Sequence, residues 1–240
     1  MLDRPTSGAV CAACWSACPV FSPPLCNRCG VSLPSWRVLS RELGTCPACR
    51  RAPSRVAVAR AVGPHEGVLR EIVHGLKYRG LASLSAPLSA RMRTVGAAVL
   101  GGADAVVPVP LHPGREWRRG FNQAEALAAG LGPPVRRLLC RVRPTRTQAA
   151  LRAAERRRNV GRAFAVAPVA GARGLAGWVN LLVPTDGRRA RREIEDRVLV
   201  LVDDVATTGA TLDACARVLA QCGAREVRAL TAARAVLARR

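Results

Sequence analysis

The segment Val198-Leu-Val-Leu-Val-Asp-Asp-Val-Ala-Thr-Thr-Gly-Ala-Thr211 sets two adjacent carboxylates and three hydroxyls directly behind an apolar run. A phosphate dianion is held by backbone N–H groups, hydroxyls and the positive end of a helix. Thr207, Thr208 and Thr211, with the backbone of Ala206, Gly209 and Ala210, supply that set, and Gly209 lets the backbone approach closely. Asp203 and Asp204 repel phosphate but accept hydrogen bonds from the 2- and 3-hydroxyls of a ribose. The two parts together predict a seat for a pentose phosphate. A capping Asp or Thr before an ordinary crossover helix accounts for one of these residues and leaves the others unexplained.

A second group is metallic in character. Seven of the ten cysteines fall in the first 49 residues, and six of those seven form three C-x-x-C pairs. Cys26-Asn-Arg-Cys29 and Cys46-Pro-Ala-Cys49 have the spacing of two knuckles around one tetrahedral ion, so a structural Zn2+ site is expected, with disulfides or bare thiols as alternatives. Cys11 and Cys14 form the third pair, with Cys18 a candidate third ligand for a second site. Cys140, Cys215 and Cys222 stand in apolar contexts and are expected in the core.

These side chains need elements to position them. Val198–Val202 is a buried strand by its unbroken apolar run, Asp203–Gly209 a polar turn, Ala210–Cys222 a helix stopped by Gly223, and Glu226–Thr231 a further strand. Strand, crossover helix and strand imply a parallel sheet with helices on its faces, and ligands bind at the carboxyl ends of such strands. Upstream, the pattern gives a β-like run at Val56–Ala61, helices over Gly67–Tyr78 and Ser83–Val99, a strand from Ala105 ending in a proline-stiffened loop near Leu111, and a helix over Asn122–Gly130. Arg136–Arg162 should hold a strand, a connection and a short helix. The expected organisation is a cysteine-rich module over 1–52 and an α/β domain over 53–240, interrupted by an inserted loop at 165–195.

The acidic and threonine run resembles the phosphoribosyl-diphosphate signature of type I phosphoribosyltransferases. Leu76-Lys-Tyr78, Val107-Pro-Val-Pro-Leu111, Arg119-Gly-Phe-Asn-Gln-Ala124, Thr147-Gln148 with Leu151, and Arg158-Asn159 with Phe164 narrow the resemblance to the ComF family. The resemblance covers most of the chain apart from residues 165–195. It implies a type I phosphoribosyltransferase-like fold behind a zinc ribbon, and a ligand that is phosphoribosyl diphosphate or ribose 5-phosphate accompanied by Mg2+. The loop after an early strand would then contact the diphosphate through the amides of Val109, Leu111 and His112. Arg119, with Arg115 and Arg118, would lie on a loop that closes over the reaction centre and neutralises departing diphosphate; a solvated basic turn is the alternative. Asp203, Asp204 and Arg119 are thus the candidate catalytic residues. The resemblance further implies a link to natural transformation, beside a competence helicase.

Composition sets outer bounds. The 240 residues are 49% hydrophobic and 22% charged, with room for one full domain and a small appendage. The net charge is +22, nearly all from arginine, since Lys77 is the single lysine. Coding bias and affinity for phosphate or single-stranded DNA are both sources for that excess. No apolar run reaches the length of a membrane span and the run Met1-Leu-Asp-Arg-Pro5 lacks the apolar stretch of a secretory signal, so a cytoplasmic protein without membrane insertion is expected. No G-x-x-x-x-G-K-[ST] motif occurs, which excludes an ATP-driven P-loop motor. Two readings lead: a transferase acting on phosphoribosyl diphosphate, and a non-catalytic sensor or single-stranded DNA adaptor using the same pocket and zinc module; the intact loop residues argue against a third, a zinc-stabilised partner-binding protein whose sheet domain has lost its ligand.

Overall fold

In the computed structural model, which describes residues 10–34, 44–142, 163–167 and 191–236, the apolar run at Val198 becomes an inner strand of a parallel sheet. Four strands pair in the order β1 (Ala59–Pro64), β6 (Glu226–Arg234), β5 (Val198–Ala206) and β2 (Ala105–Pro108). Every pairing in it is parallel. Between β5 and β6 the chain crosses over through α8 (Ala210–Gln221), whose end is marked by Gly223 at φ +90°.

Side chains alternate across β5, and the two faces meet different partners. Leu199 and Leu201 pack with Cys215 and Leu219 of α8 and with Leu139 and Phe164 of a separate two-stranded antiparallel ribbon, β3 (Leu139–Arg141) and β4 (Phe164–Val166). Val200 and Val202 pack with Leu69, Ile72 and Leu76 of α3 (Gly67–Tyr78), Leu88 and Met92 of α4 (Ser85–Val95), and Leu127 of α7 (Gln123–Ala128). Val200, Leu201 and Val202 are fully buried, and each such side chain contributes about 1.5–3 kcal/mol by leaving water.

The α3 boundaries coincide with the amphipathic pattern of the sequence. The helix expected over Ser83–Val99 is divided instead: a 3-10 turn at Ala82–Leu84, then α4, then α5 (Ala97–Leu100) after a break at Gly96. A β-carbon on Gly96 would lie 2.6 Å from Leu230 Cδ2, so the break lets this bend sit directly on β6. Arg115–Arg119, expected as a loop or turn, lies in α6 (Pro113–Arg119), which begins at a proline and ends at Gly120 with φ +76°. Of the inserted loop expected at 165–195, residues 168–190 lie outside the described residues. At its two margins β4 runs through Val166 and Ile194 is fully buried in the core.

The N-terminal cysteine segments carry α1 (Ala12–Ser16) and α2 (Pro47–Arg51). They lie against the sheet: Ala59 N–H donates to the Arg28 carbonyl at 2.6 Å, and a β-carbon on Gly63 would strike the Pro19 carbonyl oxygen. Among the described residues no helix is long and apolar enough to cross a membrane.

Candidate functional site

Parallel pairing brings the carboxyl ends of β2 and β5 to one edge of the sheet, with Pro108 opposite Val202. β5 runs on past that point. Asp203 pairs with Thr231, Val205 with Ala233 and Ala206 with Arg234, so the turn expected at Asp203 begins only after Ala206. The two carboxylates therefore sit in strand geometry and, as neighbours, face opposite sides.

Asp204 faces α3. Both of its oxygens lie 3.1 Å from Lys77 Nζ, and Oδ1 also accepts the Val205 N–H at 2.7 Å. Its side chain is 9% exposed and that of Lys77 26%, so the pair is largely withdrawn from water. Burial pulls the Lys77 pKa down, but the charges of Asp204 and Asp203 and the hydrogen bond outweigh it and the net shift is upward. Lys77 carried no role in the sequence reading beyond its place in Leu76-Lys-Tyr78. The signal available was its singularity in an arginine-dominated chain. Nearby, burial and then the positive charges of Lys77 and Arg70 hold His65 below its ordinary value.

Asp203 faces the other side, where the Arg141 charge favours its ionised form and its own charge helps to raise the Cys215 thiol. It makes no ion pair among the described residues, and its Oδ1 accepts the Asp204 N–H at 2.8 Å. Desolvation, followed by the neighbouring Asp204 charge, pushes its pKa up to about 7. The edge thus holds one carboxylate with a fixed counter-ion and one poised between its two protonation states.

Behind the carboxylates, Thr207, Thr208 and Gly209 form the turn into α8. Gly209 has φ +77° and caps the helix without a side-chain bond, and Thr208 Oγ1 reaches the Ala210 N–H only at 3.4 Å. The start of this twelve-residue helix is directed at the edge of the sheet, with only that weak side-chain bond to the Ala210 N–H, and a helix N-terminus in such a place suits an anion. Thr211 lies in the first turn of the same helix.

In the loop after β2, one expected donor is already committed. The Val109 N–H donates to the Val202 carbonyl at 2.9 Å and extends the β2–β5 ladder, so it is not available to a diphosphate. The amides of Leu111 and His112 make no hydrogen bond among the described residues. His112 is the N-cap of α6, its Nδ1 accepting from Gly114 N–H at 3.3 Å. Arg119, at the end of that helix rather than on a loop, donates to Gln123 Oε1 at 3.2 Å and lies 5.3 Å over the Tyr78 ring, beside Lys77. Ala206 and Ala210 are buried flanks of the turn.

The cysteines divide as their spacing suggests for one set and not for the other. The sulfurs of Cys26, Cys29, Cys46 and Cys49 all lie within 4.8 Å of one another, with Cys29 and Cys46 Sγ 3.7 Å apart. A tetrahedral ion with sulfurs about 2.3 Å away sets neighbouring sulfurs about 3.8 Å apart, so the four thiols fit zinc and can hold it. The Cys46 N–H points at Cys26 Sγ, 3.2 Å away. Hydrogen bonds from Cys29 and Cys49 lower the Cys26 thiol, while hydrogen bonding to Cys26 pushes Cys29 up to about 11 and raises Cys49. A cation is what turns such a set into four thiolates. Cys11, Cys14 and Cys18 form no second cluster among the described residues: Cys18 Sγ donates to the Cys14 carbonyl and packs in the core with Val10.

Residues 118–238 match the phosphoribosyl transferase domain family. The class of fold and the sheet-edge site agree with that match. With relatives whose names fall in one lineage, it shows that the chain belongs to the ComF family of phosphoribosyl transferase domain proteins. Competence protein F of Haemophilus influenzae is 34% identical over 137 residues, covering 55% of this chain and 51% of that protein. DNA utilization protein YhgH of Salmonella typhi is 30% identical over 237 residues, covering 89% and 88% of the two chains. Competence protein ComFC of Bacillus subtilis is 26% identical over 215 residues, covering 89% and 79%.

Proposed function

We propose that the chain binds magnesium phosphoribosyl diphosphate at the carboxyl edge of β5 and transfers its phosphoribosyl group to an acceptor nucleophile. The observation that carries this reading is the continuity of Asp203 and Asp204 through the Thr207–Gly209 turn into the N-terminus of α8 at the same sheet edge. A 5-phosphate on the Thr207–Thr211 turn brings the ribosyl hydroxyls toward the acidic pair. The Leu111 and His112 amides face the diphosphate from the neighbouring strand end. The acceptor's lone pair forms the bond to the anomeric carbon, while the carbon–oxygen bond breaks with its electron pair going to diphosphate. The carbon passes through an oxocarbenium-like state, so positioning and charge neutralisation do the chemistry and no protein nucleophile is required. Magnesium, when bound with the diphosphate, supplies part of that neutralisation. Arg119 supplies positive charge at the same edge.

The reading extends to zinc in the four-cysteine cluster and to a role in the handling of incoming DNA, a role supported by the names of the competence and DNA utilization relatives. A second reading, a non-catalytic sensor or single-stranded DNA adaptor, is favoured by two exposed aromatic rings, Trp117 at 82% and Tyr78 at 61%, in a chain of charge +22. Aromatic platforms among arginines bind single strands without regard to sequence.

Calorimetric titration of magnesium phosphoribosyl diphosphate into zinc-loaded protein separates the two. Saturable binding is expected for wild type, and a loss of at least about tenfold in the Asp203→Asn/Asp204→Asn and Thr208→Ala variants. Heat with an oligonucleotide and none with phosphoribosyl diphosphate would establish the second reading instead.

A further inference from the structure

The Lys77–Asp204 pair raises a difficulty for any ribosyl ligand: the carboxylate expected to receive its hydroxyls is already taken. Both oxygens are held at 3.1 Å, and the carboxylate has little other contact with water. Oδ1 already accepts from Lys77 and from the Val205 N–H, and Lys77 stands against Oδ2 as well, so a hydroxyl that takes full hold of Asp204 competes with one of the two Lys77 contacts. In a partly buried site, giving up an ion-pair contact is costly unless the ammonium gains another anionic partner at the same moment.

We infer, on the basis of the pocket proposed above, that Lys77 is a specificity-determining residue. It covers Asp204 in the free protein and passes one hydrogen bond to the anomeric diphosphate of the ligand as a ribosyl hydroxyl takes its place. A pentose 5-phosphate alone seats its phosphate at the start of α8 and offers Lys77 no second anion. A ligand carrying a further phosphate group at the anomeric carbon does, and is bound in preference.

The choice of side chain fits this exchange. Lys77 is the single lysine among 38 Lys and Arg residues. An arginine fork would clamp the carboxylate in a planar two-point contact. An ammonium is a compact charge with three rotatable donors, able to keep one bond to Asp204 while turning another to phosphate. Its position suits the exchange as well. Lys77 stands in the last turn of α3 with its ammonium on Asp204 and within the field of Asp203, so it borders the acidic pair as a whole.

The test is the affinity of two ligands, magnesium phosphoribosyl diphosphate and ribose 5-phosphate, for wild type, Lys77→Met and Lys77→Arg. Wild type is expected to prefer the diphosphate. Lys77→Met should lose about tenfold for the diphosphate and change by less than about threefold for the monophosphate, because uncovering Asp204 helps the hydroxyls while the unpaired charge opposes the anion. Should the methionine variant melt at a much lower temperature, Lys77→Arg carries the test. It keeps the charge, and its preference for the diphosphate should fall at least about threefold. Equal losses for both ligands, or an unchanged preference in the arginine variant, overturns the inference and leaves the pocket standing. Absence of binding by wild type to either ligand overturns the pocket and the inference together.

Discussion

Asp203 and Asp204 share a peptide bond and almost nothing else. Strand geometry turns one toward Lys77 and the other toward Cys215 and Arg141, and only the first gains a counter-ion at hydrogen-bond distance. For Asp203 this has a measurable consequence. Its pKa is about 7 in the folded protein and about 3.9 in an unfolded chain. Between those values the unfolded chain has released the proton while the folded one keeps it. The contribution of Asp203 to stability is therefore fully present below about pH 4 and is lost as the pH rises to about 7. Asparagine reproduces the neutral acid at every pH. In ligand-free, metal-loaded protein, Asp203→Asn should be more stable than wild type by about 1–3 kcal/mol at pH 8, with the gap narrowing at pH 5.5. Urea melts at the two pH values measure it, and an identical pH dependence in the two proteins would contradict the assignment.

Among the elements, α7 shows how the site is built on rigid parts. Asn122 is buried, accepts the Ala124 N–H at 3.0 Å as the N-cap, and donates through Nδ2 to the Val109 carbonyl at 3.2 Å. One side chain starts a helix and anchors the loop that presents Leu111 and His112. Asn122→Ala should cost about 1–3 kcal/mol in urea unfolding, from the lost cap and an orphaned carbonyl, and should weaken diphosphate binding as the loop loosens. A stability within about 0.5 kcal/mol of wild type would count against the anchor. At this scale the sequence was legible where signals are local. The boundaries of α3 follow from its apolar spacing, and the end of α8 from Gly223. It was not legible where partners are distant. Asp203 to Ala206 look like a polar turn until β6 is there to pair with them. Gly96 looks like an ordinary helical glycine until Leu230 fills the space beside it. The basic run before Gly120 concealed a helix because charge says little about backbone. Its proline start and glycine stop were the available signals. In the candidate site, the acidic pair and threonine turn announced themselves by residue type. The commitment of the Val109 amide to the sheet, and the pairing of Lys77, needed the fold.

Across the whole molecule, the four-cysteine cluster and the first turn of α8 are joined by a short series of contacts. Arg28, between the first two cysteines, donates to the Cys49 and Ser54 carbonyls at 3.2 Å each. Ser54 Oγ and the Arg55 N–H both meet Asp213 Oδ1, at 2.9 and 2.8 Å, in the first turn of α8. The cysteine segments thereby brace the helix that follows the acidic pair, and the acidic residue there also complements the helix dipole. The large positive charge, carried by arginine almost throughout, adds long-range attraction for a polyanionic ligand, screened as salt rises. What unites these features is the claim that a phosphoribosyl group occupies the edge where β5 passes into α8. A crystal structure of the zinc-loaded protein with magnesium phosphoribosyl diphosphate tests it most directly. The expected result is the 5-phosphate on the amides and hydroxyls of Thr207–Thr211, with ribosyl hydroxyls on the Asp203–Asp204 pair. A ligand bound elsewhere, or an empty edge at saturating concentration, would contradict the account.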